Sequence, residues 1–173
     1  MSIDTIVVPV DFSEKAKKGV DYALLLAKKL NAHLIFLHTY ALGPPPRTGM
    51  TMSAMTHPAD LDMASLEKLN RLKLRDYLDQ FPDLSNVNHK LITGLGTPAE
   101  VICQVAEDEK ADFILMGTGG ASKIEGFFIG TVSEKVSRKA PCSVMVVPRE
   151  TSHLRIDSVG LALDTNHLDN KSG

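Results

Sequence analysis

The chain is short of several things, and each shortage removes a class of function. It has two cysteines in 173 residues, Cys103 and Cys142. They form no C-x-x-C pair and lie among apolar neighbours, so they read as small buried hydrophobes rather than a disulfide or metal ligands. No apolar run is long enough to span a bilayer. The net charge is only −2, which provides no field for nucleic acid or an anionic membrane. Met1 to Asp11 enters an apolar strand with no basic segment ahead of it, so no secretory signal is expected and the cytoplasm is the expected location. Familiar catalytic signatures are also missing. There is no G-x-x-x-x-G-K-[ST], no G-x-G-x-x-G after the first strand, no G-x-S-x-G, no H-E-x-x-H and no kinase set. His33, His57, His89, His153 and His167 show no ligand spacing, and His38, at a strand end, reads as a hydrogen-bonded structural residue. No catalytic residue is assigned.

What is present is an alternation of strands and helices. Ile6–Val10, Leu34–His38, Phe113–Met116 and Ser143–Val147 are apolar runs of the kind expected for strands covered on both faces. Val87–Thr93 alternates polar and apolar residues, as an edge strand does. The first helix begins after a Ser13 N-cap, carries Ala16, Val20, Ala23, Leu24, Ala27 and Leu30 at helical spacing, and exits at Asn31. The second carries Met63, Leu66, Leu74, Tyr77, Leu78 and Phe81 and stops at Pro82. Thr97, Pro98 and Glu100 have the order of a capping box, opening a helix that buries Val101, Ile102 and Val105. A short helix with Val132 and Val136 precedes the last strand. Ala41 to Pro58 reads as a long loop.

Five strands with helical crossovers predict an α/β fold, a parallel, doubly wound, Rossmann-like sheet with helices on both faces, and the order taken for it is 3-2-1-4-5. In such a sheet the ligand crevice opens where the winding reverses, between strands one and four. Asp11 leaves strand one there and Gly117 leaves strand four there.

The most informative segment lies at the same place. Gly117–Thr131 reads GTGGASKIEGFFIGT, between an apolar strand and a helix start. Glycines let a ligand approach the backbone, and a helix N-terminus offers unpaired N–H groups and a partial positive charge, so the pattern suits phosphates. The alternative is a structural turn. Asp11 is open in the same way, as an acid at a helix N-terminus or as a ligand contact.

With these residues in hand, the chain resembles the universal stress protein family in its ATP-binding branch. The family pattern G-x2-G-x9-G-[ST] is matched by Gly117, Gly120, Gly130 and Thr131. The opening VPVDFS and the closing GTVSEKVSRKAPCSVMVVP are similar to the family's two ends, and the likeness covers residues 1 to about 148 apart from the loop after Tyr40. The resemblance implies an ATP or other adenine-nucleotide site. Pro9, Val10 and Asp11 would lie on the adenine and ribose side, with Thr39 meeting adenine through its backbone. Met116 and Gly117 would run along the ribose. Gly120, Gly130, Thr131 and Val132 would hold phosphates, with magnesium carried by the phosphates and the Thr131 hydroxyl. It also implies a homodimer, or a tandem pseudo-dimer, through strand 143–147. The implied role is a stress-response regulator or nucleotide-dependent switch; the alternatives are an interaction module that binds no nucleotide and a slow ATP hydrolase. Ile156–Asp164 echoes Ile3–Asp11, so 1–148 is expected to be one domain and 149–173 a linker with the first strand of a second repeat.

Overall fold

In a computed structural model, the protein is described over residues 3–41, 62–117 and 130–147. The described chain runs β1 (Thr5–Pro9), α1 (Glu14–Leu30), β2 (His33–Tyr40), α2 (Met63–Leu78), β3 (His89–Leu95), α3 (Pro98–Asp108), β4 (Phe113–Gly117), α4 (Thr131–Lys139) and β5 (Ser143–Val147). The strands form one sheet in the order β3-β2-β1-β4-β5, and every pair is parallel. This is the expected doubly wound order.

Two apolar layers hold the sheet. Ile6, Val8, Leu34, Phe36 and Leu115 face α1 and α2, where they meet Val20, Ala23, Leu24, Leu74 and Leu78. Val7, Ile35, Leu37, Ile114 and Met116 face α3 and α4, where they meet Ala99, Ile102, Ala106 and Val136. Alternate residues of one strand thus bury on opposite faces, which explains why the strands read as unbroken apolar runs.

Local signals set the helix ends. The Ser13 hydroxyl accepts from the Ala16 N–H at 3.2 Å, and α1 ends on Asn31 in the left-handed region at φ 55°. Asp62 caps α2, its carboxylate accepting from the Ala64 N–H at 3.1 Å. The Asp112 carboxylate accepts from the N–H groups of Asp4 and Thr5 at 2.8 and 3.0 Å, clipping the start of β4 to the start of β1 and lowering its own pKa.

Several local expectations are corrected. Thr97 is the N-cap of α3 and Pro98 its first residue, but the Thr97 side chain makes no capping bond; its carbonyl receives the N–H groups of Glu100 and Val101 instead. Leu30 and Met63 are 42% and 45% exposed, because each sits at a helix end beyond the sheet's cover, and Leu26 is buried where Leu30 was expected. Phe81 is buried but lies past α2, and Pro82 opens a 3₁₀ turn, Pro82–Asn86. Cys103 and Cys142 are free and half-buried. Burial raises both thiol pKa values, that of Cys142 to about 11, with Asp112 and Cys103 adding to the effect. The loop after Ala41, Gly120 with its neighbours, and the segment from 149 onward lie outside the described residues. Among the described residues no helix is long and apolar enough to cross a membrane.

Candidate functional site

Every strand points its carboxyl end to the same side, so the loops after β1 and β4 open together. Between them is a cleft of about 510 Å³. Pro9, Val10 and Asp11 enter it from β1, Thr39 from β2, Met116 and Gly117 from β4, and Gly130, Thr131 and Val132 from the start of α4. Nine of the ten residues expected at the site therefore line one cavity. The tenth, Gly120, lies outside the described residues.

The first wall is a turn built on hydrogen bonds. Asp11 Oδ1 accepts from the Ser13 N–H at 3.0 Å and from the Ser13 hydroxyl at 2.6 Å. Ser13 in turn caps α1. One Asp11 oxygen thus anchors the turn, and the carboxylate stays exposed at the cleft. His38 Nδ1 lies 2.8 Å from the Val10 carbonyl, which can only accept, so Nδ1 carries the proton. Phe12, between these residues, has φ 62°, a conformation unfavourable for a residue with a Cβ. Its ring lies over that of His38, with centroids 4.1 Å apart, and meets Tyr77 edge-on at 5.4 Å. The Tyr77 hydroxyl donates to the Ser13 carbonyl at 3.3 Å. Burial, and then the carboxylates of Asp11, Glu14 and Asp21, push the Tyr77 pKa up to about 12. Helix α2 is in this way fastened to the turn that carries Asp11.

The opposite wall is the N-terminus of α4. Gly130 is its N-cap, at φ −61° and ψ 155°, and has no side chain with which to cap. The first helical bond runs from the Glu134 N–H to the Gly130 carbonyl at 2.9 Å. The N–H groups of Thr131, Val132 and Ser133 precede that bond and have no acceptor within the helix. Val132, expected at the phosphates, lines the cleft and is 37% exposed, while Val136 on the same helix is fully buried.

Sequence reasoning passed over part of the lining. Pro98 and Ile102 contribute from α3, and Ser133, 3% exposed, from α4. The signal for the first two was present: Thr97-Pro98 marks a helix start, and in a parallel sheet all helix starts gather at the strands' carboxyl ends. Among the described residues, no three His, Cys, Asp or Glu side chains come together in a way that would hold a metal.

Comparison with known proteins gives the family and supports the fold. The model of the universal stress protein family matches residues 2–148. The chain belongs to the universal stress protein family. A universal stress protein of Thermus aquaticus is 33% identical over 144 residues, which span 83% of this chain and 97% of the relative. Among solved structures, a universal stress protein in complex with cAMP is 22% identical, covers 86% of this chain and 98% of its own, and superposes with a TM-score of 0.58. A universal stress protein family protein from Arabidopsis thaliana with AMP bound is 20% identical, with 86% and 93% of the two chains covered and a TM-score of 0.58. At these identities the two structures share the fold with this chain.

Proposed function

We propose that the cleft between β1 and β4 binds an adenine nucleotide, ATP foremost, and that the bound state acts as a switch. The observation that carries the reading is the glycine-capped start of α4, whose first N–H groups have no acceptor within the helix and whose residues line the cavity beside the end of β4. A phosphate would supply the missing cap, and the helix dipole favours its charge. Three further points support the reading. The G-x2-G-x9-G-T spacing is intact at Gly117, Gly120, Gly130 and Thr131. The cavity volume suits a ligand of nucleotide size. Two solved structures of the same fold are complexes, one with cAMP and one with AMP.

In this reading the purine and ribose lie towards Asp11, Thr39 and Met116, and the phosphates towards Gly120, Gly130, Thr131 and Val132. Among the described residues the cleft lining holds one carboxylate, Asp11, which suits magnesium held mainly by phosphate oxygens and water, with the Thr131 hydroxyl beside it. Binding shifts the conformation only if ATP prefers one state over another, and dimerisation through β5, which ends the sheet among the described residues, is the readout that the sheet order offers.

The test is calorimetric titration with ATP, with and without magnesium, after assay for nucleotide carried through purification. Saturable binding that is lost in Gly130→Val, with folding unchanged by circular dichroism, is the expected result. If the native chain neither binds nor carries nucleotide, the reading fails and the glycine segment is a structural turn of an interaction module.

A further inference from the structure

A second surface lies away from the cleft, on the flank of α2 and the outer edge of the sheet. Lys68, Arg71, Leu72 and Arg75 recur at the spacing of one helix face. With Leu91 of β3 they line a hollow of about 120 Å³, the volume of one apolar side chain. Leu72 and its neighbour Leu69 are 37% and 48% exposed. Among the described residues Lys68 and Arg71 have no carboxylate partner, and Arg75 reaches only the adjacent Asp76 at 3.9 Å. These cations sit on a chain whose net charge is −2, so they are a local excess and not part of a general basic character.

The hollow adjoins the edge strand of the described sheet. β3 ends the sheet, and among the described residues no strand pairs with its outer side. The Asn88 carbonyl accepts from the Leu34 N–H, and the Gly96 N–H donates to the Tyr40 carbonyl, each at 2.9 Å. Backbone groups alternate in direction along a parallel strand, so the even-numbered residues of β3 face β2. Leu91 and Thr93 therefore turn their N–H and C=O groups outward. Leu91 thus offers its backbone to a new strand and its side chain to the hollow.

We propose that this edge docks an extended acidic segment of a partner protein, added as a sixth strand beside β3. One apolar side chain of that segment enters the hollow between Leu72 and Leu91. Acidic side chains two residues before and after it, on the same face of the added strand, meet Lys68, Arg71 and Arg75. Main-chain bonds give such docking its affinity, and the hollow and the charges give it its sequence preference. The open backbone edge favours a peptide over a lipid surface, because lipid has nothing to pair with it.

The probe is a fluorescent peptide of the pattern glutamate–threonine–leucine–threonine–glutamate, repeated once, titrated into the full chain by anisotropy. The expected result is saturable binding that weakens with salt and falls at least tenfold in Arg71→Glu/Arg75→Glu. Hydrogen exchange on the unsubstituted protein gives a second reading that needs no variant: peptide should slow exchange at the Leu91 and Thr93 amides. Absence of saturable binding would overturn the proposal and leave the cations as guards of an open edge. Binding indifferent to the charge reversal, or without protection of those amides, would overturn it equally. So would binding to phosphatidylglycerol vesicles in place of the peptide, which would make the patch a lipid surface.

Discussion

Gly19 and Gly117 meet backbone to backbone: a Cβ placed on Gly19 would stand 3.1 Å from the Gly117 nitrogen and 3.5 Å from its Cα. Helix α1 therefore rests directly on the residue where β4 gives way to the glycine segment. Two effects oppose each other in Gly19→Ala. Helix propensity gains up to about 1 kcal/mol, while the new methyl presses on a main chain that has little room to move. Gly19→Ala should accordingly leave stability within about 1 kcal/mol of the original. Gly19→Val adds branching and volume and should lose about 1–3 kcal/mol. In both variants the displaced Gly117 should weaken nucleotide binding. Urea unfolding beside ATP titration separates the two effects; unaltered affinity in Gly19→Val would show that Gly117 does not set the site.

Phe12 opposes its own backbone. At φ 62° it carries a left-handed strain of roughly 1 kcal/mol, and its ring contacts with His38 and Tyr77 offset that strain. Phe12→Ala removes the ring and keeps the strain. Phe12→Gly removes both. The glycine variant should thus be more stable than the alanine variant by about 1 kcal/mol, although both are less stable than the original. Thermal unfolding of the three chains measures this, and equal stability of the two variants would mean that the turn relaxes once the ring is gone.

These two relationships mark the limit of what the sequence discloses. The buried strands were legible because a sheet covered on both faces requires continuous apolar runs, and Val7, Ile35 and Ile114 in one layer with Val8, Phe36 and Leu115 in the other meet that need. The doubly wound parallel sheet followed from the crossovers, and the place of the cleft followed once the order 3-2-1-4-5 was taken for it. Gly19 was not legible, since a glycine within a helix reads only as a weak helix former; its reason is Gly117, far along the chain. Nothing in the letter Phe at position 12 announces a positive φ, which is imposed by the Asp11–Ser13 bonds on one side and the His38 ring on the other. Thr97 shows the converse error. Its pattern promised a side-chain cap, and the backbone carbonyl alone receives the first turn.

Tyr77 makes stability depend on pH at the alkaline end. Its folded pKa, raised to about 12, exceeds the ordinary value of 10.0 because burial and the nearby carboxylates of Asp11, Glu14 and Asp21 disfavour the phenolate. The contribution is fully present below pH 10. Above it the unfolded chain releases the proton while the folded chain holds it, so stability falls from about pH 10 to 12. Urea midpoints across this range should fall less steeply in Tyr77→Phe than in the original. The difference in tyrosinate absorbance between the two proteins should have its midpoint near 12. A midpoint near 10 would mean that the hydroxyl is open to water and that its contact with the Ser13 carbonyl is not kept.

Asp11 joins the turn to the proposed ligand, and its two oxygens allow the roles to be separated. Oδ1 is occupied by the Ser13 N–H and hydroxyl, which leaves Oδ2 for a nucleotide hydroxyl or base amine. Asp11→Asn keeps one oxygen to serve Ser13 and puts an amide donor where the second acceptor stood. Its unfolding midpoint should hardly change, while ATP affinity falls roughly three- to tenfold, the worth of one net hydrogen bond. Asp11→Ala loses the Ser13 anchor as well, so stability and affinity should drop together. Calorimetry and thermal unfolding on both variants distinguish the cases. If Asp11→Asn binds ATP as tightly as the original, Asp11 serves the turn alone, and the purine end of the ligand must be held by the backbone at Thr39 and Met116.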